Sequence, residues 1–332
     1  MSALGRQTKM ALRLGPGIFL ASVIALAALA IGERYDAPVM LFALLIGMAL
    51  SHLNEDPKLR PGLRFAASSL LKAGVAVLGL TISVHTFEAM GLSAVLMIII
   101  LMMLTLAAGI LLGRAMGWGL PKAAIAAGAV AICGASAALA IASVVDPKKR
   151  NNSHLLAVIL VATGMSTLAM IFYPVLLGQL HMDALGTGFV LGASIHDVAQ
   201  VIGAGFSVSD EVGQAATLTK MVRVAMLPVV LVVLTISVGR NEADGERKIH
   251  LPVFVIVFAG LFCLASVVDI PASLADAAKN LSRIFFYVAV AAIGLSSKVQ
   301  DIAKAGHTII IVIAACSAVL FVGSVLAATW LM

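Results

Sequence analysis

Long apolar runs, separated by short charged or turn-forming stretches, fill this chain. Eleven can be marked off: 17–32, 38–53, 63–84, 92–113, 123–145, 155–180, 185–206, 214–238, 251–268, 281–297 and 308–331. A helix needs about 20 mostly apolar residues to cross a bilayer core. Spanning strands would instead show short alternating segments. The pattern therefore predicts an all-α polytopic membrane protein of nine to eleven segments, forming one integral membrane domain over residues 1–332. The first run follows Arg6, Lys9 and Arg13 and contains Ala28-Leu29-Ala30, so it imitates a signal peptide. It is read here as a retained first helix.

Composition agrees. Apolar residues make up 61% and charged residues 11% of 332, against roughly half and about a quarter in soluble domains. A soluble globule and a disordered chain are both excluded. The 22 basic and 16 acidic residues leave a net charge of +6. Nucleic-acid binders carry such an excess, but here the cytoplasmic loops of a membrane protein account for it better. Cys133, Cys263 and Cys316 lie in apolar segments without metal-ligand spacing. No metal, cofactor or nucleic-acid partner is expected. HExxH, GxSxG, Walker A and CxxC motifs are all missing. The chain is therefore not expected to be an enzyme or to drive transport by its own ATP hydrolysis.

The positions of Lys and Arg constrain topology. With the N-terminus cytoplasmic and all eleven segments crossing, the run Asp146-Pro147-Lys148-Lys149-Arg150 falls outside. If the fifth and seventh segments instead enter and leave on one side, 16 basic residues are inside and 3 outside (Arg34, Lys279, Arg283). The positive-inside rule favours that arrangement. Both segments contain Gly-Ala-Ser, as Gly134-Ala135-Ser136 and Gly192-Ala193-Ser194. Broken or re-entrant helices meeting near the midplane would form a polar site there, although small residues also serve close helix packing. An internal echo aligns 70–91 with 285–306, pairing Val75 with Val290, Gly79 with Gly294, Val84 with Val299 and Gly91 with Gly306. In this topology it is an inverted repeat, as alternating-access transporters have.

Ionisable residues at membrane depth are functional candidates. Lys72 lies mid-way along the third segment. His196 and Asp197 sit mid-way along the seventh, with Gln200 one turn beyond. Lys220 and Arg223 share a face of the eighth. Snorkelling to the interface is the alternative for the basic residues. Three cations against one carboxylate favour an anionic ligand. Broken-helix N-termini and serine hydroxyls would complete its shell. The expected substrate-binding set is Lys72, Gly134, Ala135, Ser136, Ser194, His196, Asp197, Gln200, Lys220 and Arg223. An imidazole beside a carboxylate suits a proton-coupled step near neutral pH.

AICGASAALAIASVV (131–145), YPVLLG (173–178), GASIHDVAQVIGAG (192–205) and AATLTKMVRVAMLPVVL (215–231) resemble the YeiH-like family of bacterial inner-membrane proteins named for sulfate export. The resemblance runs from about the second segment to the end, and GASIHDVAQV is its most specific stretch. It implies a multi-pass inner-membrane secondary transporter of elevator type, exporting sulfate or small organosulfonates. Its signature falls on Gly134, Ser136, His196, Asp197, Gln200, Lys220 and Arg223. The partners expected are a small anion and the lipid bilayer, and a homo-oligomer is allowed. Three other readings stay open: a cation–proton antiporter working through Asp197, an intramembrane enzyme on a lipid-linked substrate, and a purely structural subunit.

Overall fold

A computed structural model describes residues 3–35, 38–81, 84–145, 152–238, 253–268, 270–297 and 306–331. Every element among them is helical. The helices are α1 (Ala3–Tyr35), α2 (Val39–Ala49), α3 (Arg60–Phe65), α4 (Leu71–Leu78), α5 (Val84–Ala115), α6 (Leu120–Ala131), α7 (Ala135–Val144), α8 (Asn152–Gly178), α9 (Ala184–Ser194), α10 (Val198–Val208), α11 (Asp210–Ala225), α12 (Leu227–Val238), α13 (Val253–Val267), α14 (Ala272–Ser296) and α15 (His307–Leu331). A π-helical turn, Ala66–Leu70, joins α3 to α4. Six helical stretches are long and apolar enough to cross a membrane, and the rest are shorter apolar pieces. Helix occupies all eleven sequence segments. The basic run at 148–150, Arg240, Arg247, Lys248, Lys298, Lys304 and the echo's Val299 lie outside the described residues.

Local chemistry sets several boundaries. Asp183 caps α9 by accepting from Gly186 N–H at 2.7 Å. Ser209 caps α11 by accepting from Val212 N–H at 3.2 Å, and Asp210 and Glu211 follow in its first turn. Pro121 opens α6, where its missing N–H has no cost. Inside a bilayer apolar burial drives little, so small residues set how closely helices approach. Gly109 and Gly113 of α5 lie against Ala127 and Ala123 of α6, and every residue from Ala123 to Ala131 is buried.

The helices pack as two groups. In one, α14 lies against α1, α2 and α4, with α3 on α1 and α13 on α4. In the other, α5 and α15 pack together and flank α6 to α11. The groups meet where α10 lies on α2 and α14, where α13 touches α5 and α11, and at the ion pairs of Asp210 of α11 with Lys279 and Arg283 of α14. The frame group is tightly keyed. Gly17 of α1 meets Gly62 of α3, and Gly47 of α2 meets Gly294 of α14, backbone against backbone. The sequence echo has a backbone counterpart. Gly91 (φ +74°) and Gly306 (φ +90°) both adopt a left-handed conformation, at corresponding points of α5 and just before α15.

The fifth and seventh segments are both broken. In the fifth the break falls on Gly134, as the Gly-Ala-Ser pattern predicts, whereas in the seventh Gly192-Ala193-Ser194 is the last turn of α9 and the break follows it. The chain leaves helical geometry at 132–134 and at 195–197. In the first break it also reverses. Ile141 of α7 lies against Gly128 of α6, two residues that a continuous helix would hold about 20 Å apart. In the second, Gly188 and Gly192 of α9 climb α11 in parallel, against Ala215 and then Thr219. Gly205 of α10 descends it, against Gly213. Each pair is therefore a re-entrant hairpin. The hairpin α9–α10 lies along α11, whereas α6 and α7 lie along α12. The hairpins thus enter from opposite ends of one rod and meet part-way along it.

Candidate functional site

The meeting point is held by Lys220 and Arg223, both completely buried on α11. At helical rise Lys220 is about 15 Å from the start of α11, half of a hydrocarbon core about 30 Å thick. Lys220 Nζ donates to Ile132 O (2.9 Å) in one tip and Ile195 O (2.8 Å) in the other. Arg223 donates to Val130 O (2.8 Å), Ala131 O (2.7 and 3.1 Å), Gly192 O (3.2 Å), Ala193 O (2.7 Å) and Ile195 O (3.2 Å). The acceptors are the carbonyls that end α6 and α9, which carry the negative ends of those helix dipoles. A guanidinium has five N–H donors, and carbonyls occupy all of them. The structure thus turns the two cations toward the backbone rather than toward a cavity.

The opposite ends of the same tips behave differently. Helices α7 and α10 begin there, and neither has a side-chain cap. Their N-termini face a cavity of about 280 Å³ between the two groups of helices. From the hairpin side come Ser136, Thr163, Asp197 and Gln200. From the frame side come Ser68, Lys72, Ser296 and Ser297, above an apolar floor that includes Phe254 and Ile293. Gly134 allows the two tips to approach. Its φ of +62° and ψ of −128° lie in a region that other residues avoid, and its face lies 3.6 Å from Asp197 Oδ2, measured from an ideal Cβ position. Asp197 is half-buried and has no ion pair among the described residues. Its backbone N–H donates to Ser166 Oγ on α8 at 3.0 Å.

Of the expected site residues, Lys72, Ser136, Asp197 and Gln200 line this cavity, and Gly134 and Ala135 form the tip beside it. Ser194 is buried and donates back to Val190 O at 2.6 Å. His196, 1% exposed, turns the other way, toward α15. The Ser317 hydroxyl spends its proton on Ile313 O (2.7 Å), so His196 Nε2 is the donor in the 2.8 Å contact with Ser317 Oγ. That leaves the neutral ring with Nδ1 as acceptor, and Nδ1 has no partner among the described residues. By the same reasoning, Thr167 donates to Thr163 O and accepts from Gln200 Nε2 at 3.3 Å. Gln200 Oε1 is then unpaired.

Several participants were not singled out from sequence. Ser166 and Thr167 are an adjacent pair on α8 and Ser317 stands alone on α15; small hydroxyl residues in apolar helices carry no signal of their own. The serines at 68, 296 and 297 lie in Ser-Ser pairs near Lys72 and Lys298 and are equally anonymous. Asp210, which pairs with both Lys279 (2.9 Å) and Arg283 of α14, was more accessible. Lys279 and Arg283 share a helix face at i,i+4 and so call for a common acidic partner.

No described group of His, Cys, Asp and Glu is arranged to hold a metal. Residues 16–313 match the family profile described as conserved hypothetical protein 698. The UPF0324 membrane protein RA0957 of Rhizobium meliloti (strain 1021) is 39% identical over 87% of this chain and 84% of its own length. The UPF0324 membrane protein CT0845 of Chlorobaculum tepidum is 38% identical, over 93% of this chain and 88% of its own. The UPF0324 membrane protein TauZ of Paracoccus pantotrophus is 39% identical over 88% of each. No solved structure matches significantly. With the family profile covering most of the chain and such relatives matching along nearly their whole length, this multi-pass membrane protein belongs to the UPF0324 family, as its resemblance to YeiH-like proteins implied.

Proposed function

We propose that the chain is a secondary transporter of small anions, exporting sulfate or an organosulfonate across a bacterial inner membrane with its N-terminus in the cytoplasm. The observation that carries this reading is the convergence of two uncapped helix N-termini on one cavity that also holds Lys72. Helix N-termini offer free N–H donors and partial positive charge to an oxyanion. Ser136 and the frame serines add hydroxyl donors. A volume of about 280 Å³ is at the small end of the usual ligand range of about 300–1,000 Å³, which suits a small anion.

Asp197 supplies the coupling. A carboxylate beside the anion opposes its binding unless it is protonated, so anion and proton occupy the site together. His196 supports the tip through Ser317. The division into a keyed frame and a hairpin-bearing group supports an elevator-like movement, with the cavity at the sliding surface. Export of a divalent anion from an inside-negative cell is already favoured by about 2.3 kcal/mol per charge per 100 mV. A proton carried with the anion cancels one of its charges, and the remaining charge still favours export, so the proton sets gating and pH response without being needed as a driving force.

Efflux of labelled sulfate, sulfite and short sulfonates from proteoliposomes, with and without a pH gradient, tests this. Saturable efflux of at least one anion that changes with the gradient supports the reading. Cation–proton exchange with no anion movement would replace it with the antiporter.

A further inference from the structure

We infer that Lys220 is a built-in monovalent cation, occupying a carbonyl cage at the hairpin tips that would otherwise take a metal ion such as sodium. The argument rests on α11 and the tips alone and holds whichever solute the cavity accepts. Two helices, α6 and α9, end at the same depth with carbonyls converging from opposite hairpins. Unwound carbonyls at half-helix C-termini are how membrane transporters coordinate sodium near the midplane. Here the converging oxygens of Ile132 and Ile195 are 2.9 and 2.8 Å from an ammonium. That ammonium is covalently part of the chain and 0% exposed. Arg223 occupies the neighbouring carbonyls, Val130, Ala131, Gly192 and Ala193. The tips are therefore neutralised without any ion from solution. A dissolved sodium ion has no place at this junction, so it cannot be the coupling ion there. Without the ammonium, the same oxygens, completed by water, would be left for a monovalent cation.

The test uses the purified full chain in detergent and reads melting temperature in sodium, potassium or N-methylglucamine chloride at about 100 mM. Wild-type protein should melt within about 1 °C in all three. Lys220→Ala should melt on the order of 5 °C or more lower in N-methylglucamine. It should regain about half of that loss in sodium or potassium, because a cation binding only the folded state stabilises it. Propylammonium, which matches the deleted part of the side chain, should restore it too. Lys220→Ser, small enough to leave room for a cation and with a hydroxyl oxygen to join its shell, serves as the second variant if the alanine change prevents folding. A wild-type melting point that rises in sodium over N-methylglucamine would overturn the inference. So would a folded Lys220 variant that responds to none of these cations.

Discussion

Replacing Arg223 by Gln separates a stapling role from a ligand role. The guanidinium makes six hydrogen bonds of 2.7–3.2 Å to five carbonyls of two different hairpins. Each bond to a charged group is worth about 1.5–3 kcal/mol net, but the six are coupled and do not add. Burying the cation also costs several kcal/mol, which offsets much of their sum. In the variant, Gln reaches one or two of the carbonyls and the others stay at membrane depth without a donor. Breaking such a buried charged cluster typically costs about 3–5 kcal/mol. An unfolding entropy of about 2.1 cal/mol/K per residue over the 332 residues gives about 1.4 °C per kcal/mol, so melting should fall by roughly 4–7 °C. Arg223→Lys should lie between, since it keeps the charge but has three donors. Melting in detergent, read by the soluble fraction on size exclusion, gives the number. A Gln variant that melts like wild type but binds anion about tenfold more weakly would refute the staple and make Arg223 a substrate ligand.

Three further outcomes follow from the same geometry. Lys72→Met should weaken anion binding in an equilibrium assay by about tenfold, with melting almost unchanged because the side chain is exposed to the cavity; equal affinity would remove Lys72 from the site. Anion transport in proteoliposomes should vary with pH, and Asp197→Asn should abolish that variation. His196→Leu and Ser317→Ala should flatten it alike, because each deletes the same hydrogen bond; a wild-type profile in both would leave that bond without influence on the tip. Gly134→Ala should cost about 1–3 kcal/mol from its backbone conformation alone, measured by chemical or thermal unfolding, and wild-type stability would mean the tip relaxes freely.

The helices were legible because bilayer thickness imposes run lengths that survive in the apolar pattern. The first break was legible too, since Gly134 stands where a spanning helix would more often carry a large apolar residue; the second falls just past Gly192, which instead serves packing against α11. Charge at depth singled out Lys220 and Arg223, but not what they bind. A sequence shows that a buried cation needs partners, and backbone carbonyls leave no trace in residue identity. The same gap hid Ser317, whose hydroxyl matters only because the fold brings α15 beside the second tip. His196 and Asp197 are adjacent in sequence, yet the non-helical backbone at 195–197 turns them to different surroundings. Sequence adjacency suggested one proton-sharing pair where the structure has two separate environments.

The glycine contacts of the frame restrict how this chain can vary over time. Where Gly17 faces Gly62, and Gly47 faces Gly294, main chain touches main chain with no side-chain layer between. A methyl gained on one side of such a contact is usually accommodated by a smaller residue opposite. Glycine has no smaller replacement, so that remedy does not exist here. The two members of each pair are bound to the same fate, and a lineage that loses one must rebuild the crossing rather than repair it.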